Sequence, residues 1–199
     1  MSQNVGVISK RVAICVGGVP GAGKTTLLRE HVAREMRDMQ VTGSSIVKAI
    51  IAPSSVHDLD GWTSERRQAV REQSILELRR IKEKCSGRLL VDGHFTLRNR
   101  TTGELEPIFT PEDKKFFQAL VLIHPQPRSV VAQRENDGRA RGAESIDDIS
   151  AHIEVERLEG RRLARDMGVP LLELAESGLP ERLQAIVEFL DSIAPLDAS

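Results

Sequence analysis

The chain of 199 residues has no tyrosine, one tryptophan and five phenylalanines. So small an aromatic stock excludes the stacking platforms that hold single-stranded nucleic acid. Its two cysteines, Cys15 and Cys85, are far apart and form no C-x-x-C pair. Both read as buried or half-buried thiols in a reducing cytosol, which makes the expected location cytoplasmic. No apolar run approaches the length of a membrane helix, so no membrane partner is expected. The first six residues lack the pattern of a signal peptide. No block of like charge stands out: 28 lysines and arginines meet 29 acidic residues, for a net charge of −1. That balance leaves no electrostatic footprint for nucleic acid. There is no internal repeat. The length suits one α/β domain with a core and is short for two, so residues 1–199 are read as a single domain.

What the sequence does have is Gly18, Val19, Pro20, Gly21, Ala22, Gly23, Lys24, Thr25 and Thr26. The run fits G-x-x-x-x-G-K-[ST], the phosphate-binding loop. Glycines at 18, 21 and 23 let successive backbone N–H groups turn inward toward phosphate oxygens. Lys24 reaches the β- and γ-phosphates and the Thr25 hydroxyl binds Mg²⁺. A helix starting here adds the positive end of its dipole to the same anion. The context agrees. An apolar run, Val12 to Val16, precedes the loop as a buried strand, and Leu28, Val32, Met36 and Met39 follow at helical spacing. The cofactors implied are ATP and Mg²⁺.

Read in order, residues 1–10 form a loose leader, 11–17 a strand and 24–40 its helix. Residues 42–45 are a turn. Ile46 to Ile51 is rich in β-branched residues and reads as the second strand. A loop over 53–62 leads into a helix capped by Thr63 or Ser64 and ending near Lys84. Arg88 to Gly93 is the third strand. The polar stretch from Asn99 to Thr110 is a small hairpin or lid-like loop, with a turn at Thr101-Thr-Gly103. A short helix over 111–117 precedes the fourth strand, Ala119 to Ile123. Pro127 opens a further helix, and a polar loop with arginines follows at 136–142. Ser145 to Asp148 carries a capping signal for a long helix to about Met167. Val169 to Glu173 is the fifth strand, placed at an edge by Pro170, and Leu183 to Ile193 gives the last helix an apolar face. Alternating strands and helices predict a three-layer α/β fold: a five-stranded parallel sheet with helices on both faces and ligands at the strands' carboxyl ends.

Several other residues carry possible chemistry. Asp92 ends an apolar strand at the rim of the phosphate loop, where an acid can hold Mg²⁺ together with Thr25. His94, two residues on, is placed to touch or orient an acceptor; the bland alternative is a structural histidine. Arg134, Arg139 and Arg141 lie in and after the helix that follows strand four, and glycines at 138 and 142 on either side of Arg139 and Arg141 would let the loop move. Arginines brought in by a closing loop stabilise the charge that spreads over a transferring phosphoryl group. The bland alternative is a solvated basic loop. Arg66, Arg67, Arg71, Arg79 and Arg80 share a helix with interspersed glutamates, which reads as a salt-bridge-laced solvent face from which one or two arginines can still meet a substrate cleft. Arg98 and Arg100, just past the third strand, favour a phosphorylated acceptor. Asp92, Asp58 or Asp60 could instead take the proton of a neutral hydroxyl acceptor.

With these pieces in place the chain resembles the archaeal-type adenylate kinases, within the P-loop nucleoside monophosphate kinases. The resemblance rests on the phosphate loop, on Leu90-Val-Asp-Gly-His-Phe-Thr96 and on the arginine loop, in similar order and spacing. It implies five parallel strands, an acceptor-binding helical segment at about 52–84 and a short arginine lid at about 134–144. It implies reversible transfer of the ATP γ-phosphoryl to AMP. Lys24, Arg134, Arg139 and Arg141 would be catalytic, and Thr25 and Asp92 would place the metal. His94, Arg98, Arg66 and Arg67 would bind the acceptor, and the loop near Ala175 to Gly178 would lie by the adenine. One departure stands out. Asp58-Leu-Asp-Gly-Trp62 occupies the place where an arginine before the long helix is expected to hold the AMP phosphate. The partner is therefore a small-molecule acceptor, a nucleotide first. A P-loop kinase for a non-nucleotide acceptor and an ATP-binding or ATP-hydrolysing regulatory protein are the alternatives. Oligomeric state is not legible.

Overall fold

The computed structural model describes residues 11–136, 144–175 and 177–193. The leader at 1–10 and the loop holding Arg139 and Arg141 lie outside them.

The central strand β1, Ala13–Gly17, is buried along its whole length because both faces of the strand carry apolar side chains. It pairs in parallel with β3 (Leu89–Asp92) on one side and β6 (Ala119–Ile123) on the other. β2 (Met39–Thr42) adds outside β3, and β7 (Leu171–Leu174) outside β6, giving the order β2-β3-β1-β6-β7. Every pairing is parallel. The expected five-stranded parallel sheet is therefore present. Near-continuous apolar runs in β1, β3 and β6 are what a sheet covered on both faces requires.

Two cores form, one on each face. Ile14, Val16, Val121 and Ile123 pack with Leu27 and Leu28 of α1 (Lys24–Arg34) and with Leu183, Ile186 and Leu190 of α7 (Leu179–Ser192). Ala13, Cys15, Leu120 and Leu122 pack with Ile75 and Leu78 of the second layer's long helix and with Leu163 of another. Those two helices are α3 (Ser64–Lys84) and α6 (Ile146–Met167). Both start where their caps dictate. The Thr63 side chain accepts from Arg66 N–H, and Ser145 and Asp148 form a reciprocal capping box. Both cysteines are buried and free.

The second strand is a correction. Ile46 to Ile51 is not a strand but the body of a helix, α2 (Gly43–Ile51), and β2 lies earlier, at 39–42. Ile46 and Ile50 are four apart and meet the core beside Ile75 and Leu78, so tertiary burial overrides the β-branched propensity. β2 itself is an edge strand of mixed polarity, Met39-Gln-Val-Thr42, with no apolar alternation to reveal it. The first helix is shorter than expected for the same reason. It stops at Arg34, leaving Met36 90% exposed and Met39 in β2.

The polar stretch after β3 is the expected hairpin, begun slightly early. β4 (Thr96–Arg98) pairs antiparallel with β5 (Leu105–Pro107). Asn99 closes the turn, its side-chain oxygen accepting from Thr101 and Thr102 N–H, and Gly103 supplies φ of +77°. A short helix, α4 (Pro111–Phe116), and α5 (Pro127–Asn136) complete the set. β7 runs at the sheet edge, with Pro170 just outside it.

Candidate active site

The loop between β1 and α1 has the conformation its glycines allow. Gly18, Gly21 and Gly23 have φ of +143°, +91° and +86°. A Cβ on Gly18 would sit 2.5 Å from the Ile123 carbonyl oxygen, so space and dihedral both demand glycine there. Lys24, at the first turn of α1, is 6% exposed and folds back over the loop. Its ammonium donates to the carbonyls of Gly18 at 2.7 Å and Val19 at 3.2 Å, and lies 3.9 Å from Asp92. The register that pairs Val16 with Asp92 and Thr42 with Asp92 brings that acid to the loop. There the Thr25 hydroxyl donates to Asp92 Oδ2 at 2.5 Å. His94 Nδ1 lies 2.7 Å from the Gly18 carbonyl oxygen. Lys24, Thr25, Asp92 and His94 thus come together at the carboxyl end of the sheet. Among the described residues no three metal-ligating side chains of His, Cys, Asp or Glu cluster. Thr25 and Asp92 are hard oxygen donors in contact, a set that suits Mg²⁺ when phosphate oxygens and water complete the shell.

A residue that sequence reasoning missed braces this arrangement. Glu156, on α6, is 1% exposed. Its Oε1 accepts from Gly18 N–H (2.9 Å) and Phe95 N–H (2.7 Å). Its Oε2 accepts from Thr96 N–H (2.6 Å) and the Thr96 hydroxyl (2.5 Å). One carboxylate therefore ties the start of the phosphate loop to the start of the hairpin. Burial pushes its pKa up, while the hydrogen bonds and the charge of Lys24 pull the other way. The signal was present: Glu156 falls on the same face of α6 as buried Ile149, His152, Gly160 and Leu163, an odd place for an acid. Phe95 fills the space beneath, against Gly17 and Gly160.

Beside the loop opens a cavity of about 460 Å³. Lys24, Thr25, Asp92 and His94 form one end. α3 contributes Arg67, Val70, Arg71 and Ile75, and the hairpin contributes Arg98, Arg100 and Glu106. Phe109 and Phe117 close the apolar side. Volume and lining are those of a small-molecule site, mostly apolar with a few convergent polar groups.

The sequence of the AAA domain family matches residues 17–151, more than half of the chain and the whole run from phosphate loop to cavity. The chain belongs to this family. No curated protein matches the chain in sequence. Among solved structures it is similar to deoxyadenosine kinase from M. mycoides with bound dATP, at 11% identity and a TM-score of 0.57, over 90% of this chain and 100% of that one. It is also similar to shikimate kinase from Acinetobacter baumannii in complex with shikimate, at 14% identity and a TM-score of 0.60, over 92% and 95% of the two chains. At such identity the likeness is one of fold, and the fold is that of the P-loop kinases.

The arginines around the site are distributed unevenly. Arg134, on α5, packs across Gly21, donates from Nε to the Pro20 carbonyl at 2.9 Å and pairs with Glu144. Glu144 also holds Arg98 at 3.1 Å, and Arg98 donates in addition to the Gly103 carbonyl at 2.9 Å. Arg67 pairs with Glu106 at 3.0 Å in the cavity wall. Arg66 is not among the cavity residues: its guanidinium lies 3.5 Å over the Trp62 ring. Arg139 and Arg141 lie outside the described residues. Arg182, on α7, reaches the Ala22 carbonyl at 3.4 Å, a contact with the phosphate loop that the sequence did not suggest.

Proposed function

We propose that the chain is an ATP-dependent phosphotransferase that moves the γ-phosphoryl of ATP to a small-molecule acceptor held in the cavity. A nucleoside monophosphate, AMP first, is the leading candidate. The observation that carries the reading is the cavity whose end wall is Lys24, Thr25 and Asp92. A donor phosphate on the loop and an acceptor in the cavity would meet at that wall, which is the proximity that phosphoryl transfer needs.

The chain's own residues take the following roles. Backbone N–H groups from Gly21 to Thr26 cradle the β- and γ-phosphates. Lys24 exchanges its carbonyl partners for phosphate oxygens and neutralises charge as it spreads over the transferring group. Thr25 and Asp92 hold Mg²⁺, which supplies further charge neutralisation when bound. Arg134 exchanges Glu144 for phosphate, and Arg139 and Arg141 would join it. His94 and Arg98 face the acceptor at the junction of loop and cavity, with Arg67 from the opposite wall.

A second reading, a kinase for a non-nucleotide acceptor, is favoured by one observation. Arg67 and Arg98 are already paired with Glu106 and Glu144, which reduces the positive charge offered to a phosphate dianion. The test is a coupled assay with MgATP against AMP, CMP, UMP, GMP, deoxynucleoside monophosphates, nucleosides and shikimate. ADP formed in stoichiometry with AMP consumed supports the first reading, and turnover of a non-phosphorylated acceptor supports the second. ATP hydrolysis at one rate whatever is added overturns both and makes the chain an ATP-hydrolysing regulatory protein.

A further inference from the structure

Arg71 differs from every other arginine of the cavity. It sits on α3, one turn after Arg67, and half-buried it lines the cavity. Arg67 is paired with Glu106, Arg98 with Glu144, and the Arg100 side chain reaches His57 at 3.4 Å. Among the described residues Arg71 forms no hydrogen bond and no ion pair. Asp113 and Glu106 are the acids nearest in effect, and both are engaged elsewhere. Asp113 accepts from the Thr110 N–H and hydroxyl at the cap of α4, and Glu106 holds Arg67 and Asn99. Burial pushes the Arg71 pKa below its ordinary value, and neighbouring Arg67 pushes the same way, while Asp113 and Glu106 oppose. Arg71 thus lines the cavity with no acid of its own, where its guanidinium can meet an anion on a bound molecule.

We propose that Arg71 is the anchor for a single anionic group on the acceptor, a phosphate or a carboxylate, and that the acceptor's remaining body lies against Val70, Ile75, Phe109 and Phe117. The planar fork of donors matches either anion in bidentate fashion. This inference rests on the cavity being the acceptor site. It moves the acceptor's anion from the stretch before α3, where Asp58 to Trp62 offers no arginine, to a position inside the helix. With Arg67 and Arg98 paired to acids and Arg100 directed to His57, Arg71 is, among the described residues, the cavity arginine whose side chain has no hydrogen-bond or ion-pair partner.

The test is titration of the full chain, labelled with ¹⁵N in its arginine side chains, with sodium phosphate and separately with sodium acetate, each against sodium chloride of equal ionic strength. The Arg71 Nε–H resonance is assigned by its loss in Arg71→Lys, and the exposed Arg80 serves as reference. The expected result is a saturable shift at Arg71 that Arg80 does not show. A stronger response to phosphate assigns a phosphorylated acceptor, and a stronger response to acetate a carboxylate. A shift at Arg71 no larger than that at Arg80 for both anions overturns the proposal. Stability gives an independent readout. Arg71 is half-buried and forms no ion pair, so Arg71→Met should shift Tm by no more than about 2 °C, whereas a large fall of Tm would mean a structural role and sink the idea. With an acceptor identified by the assay above, Arg71→Met should raise its KM at least tenfold with MgATP affinity unchanged, and Arg71→Lys should recover part of the loss. An unchanged KM refutes the anchor while leaving the kinase reading standing. An assay panel without turnover challenges the kinase reading and leaves the anion titration to decide on Arg71.

Discussion

At the scale of single residues, two substitutions separate chemistry from support. Lys24→Ala removes a cation that donates to two loop carbonyls and lies beside the carboxylate of Asp92. It should lower phosphoryl transfer by about 100-fold or more while the circular dichroism spectrum stays that of the native fold. Near-normal turnover would remove Lys24 from the donor site. Glu156→Gln does the opposite. Both carboxylate oxygens face donors, so the amide nitrogen must point at an N–H wherever it is placed. The expected loss is about 2–3 kcal/mol, a fall in Tm of roughly 5–10 °C. An unchanged Tm would show that the loop and hairpin do not depend on this brace. The two residues also differ in how readable they were. Lys24, Thr25 and Asp92 could be placed together from sequence because a fixed loop motif and a strand ending in an acid each specify the same rim. Glu156 has no local motif. Its partners are backbone groups more than fifty residues away in sequence, and only its position on the apolar face of α6 marks it. Arg71 was hidden differently: a helix of alternating charges reads as solvated, and which arginine turns inward is decided by α4 and the hairpin packed against it.

At the scale of elements, caps and close approaches decide where helices begin and what they can carry. The capping sequences of α3 and α6 were legible because side chain and backbone partner lie within three residues. β2 and α2 were not, because their identities depend on neighbours far along the chain. Met39 to Thr42 is a strand only because β3 offers an edge, and Ile46 to Ile51 is a helix because α3 presents an apolar face to it. The same balance between local preference and tertiary contact gives a prediction in α6. Gly160→Ala should favour the helix by about 1 kcal/mol on propensity alone. A Cβ there, however, would approach Phe95 Cε2 to 2.8 Å, and Phe95 is wholly buried beneath the phosphate loop. Overpacking of this kind costs about 1–3 kcal/mol, so the variant should be less stable in urea than the parent. A gain in stability would mean that Phe95 has room to move.

At the scale of the whole molecule, the alternation of strands and helices was enough to read a parallel sheet with ligands at the strands' carboxyl ends, because the crossover between parallel strands is usually a helix. The sheet's two cores bury groups that titrate, and this makes the stability of the whole chain depend on pH. His152, 3% exposed on α6, is pushed down to about 4, chiefly by burial. A hydrogen bond to the Thr96 backbone and the charge of Glu144 raise it, whereas Arg98 and Arg134 lower it further. Its Nε2 has no partner, which suits a neutral ring and not an imidazolium. The unfolded chain takes up a proton on this histidine near the ordinary pKa of 6.5, and the folded chain does so only near 4. Between those values the unfolded state binds more protons, so the contribution of His152 to stability is complete above about pH 6.5 and is lost as the pH falls toward 4. At pH 5 the loss is on the order of 2 kcal/mol. Asp113 and Glu156, whose pKa values burial raises, act in the opposite sense in the same acidic range, so the slope of the parent protein alone is a sum. The difference between parent and His152→Gln isolates the histidine. Urea unfolding of both at pH 7.5 and pH 5 should show the parent losing more stability than the variant on acidification. Equal losses would mean that His152 is protonated in the folded state, with water or an acid reaching Nε2.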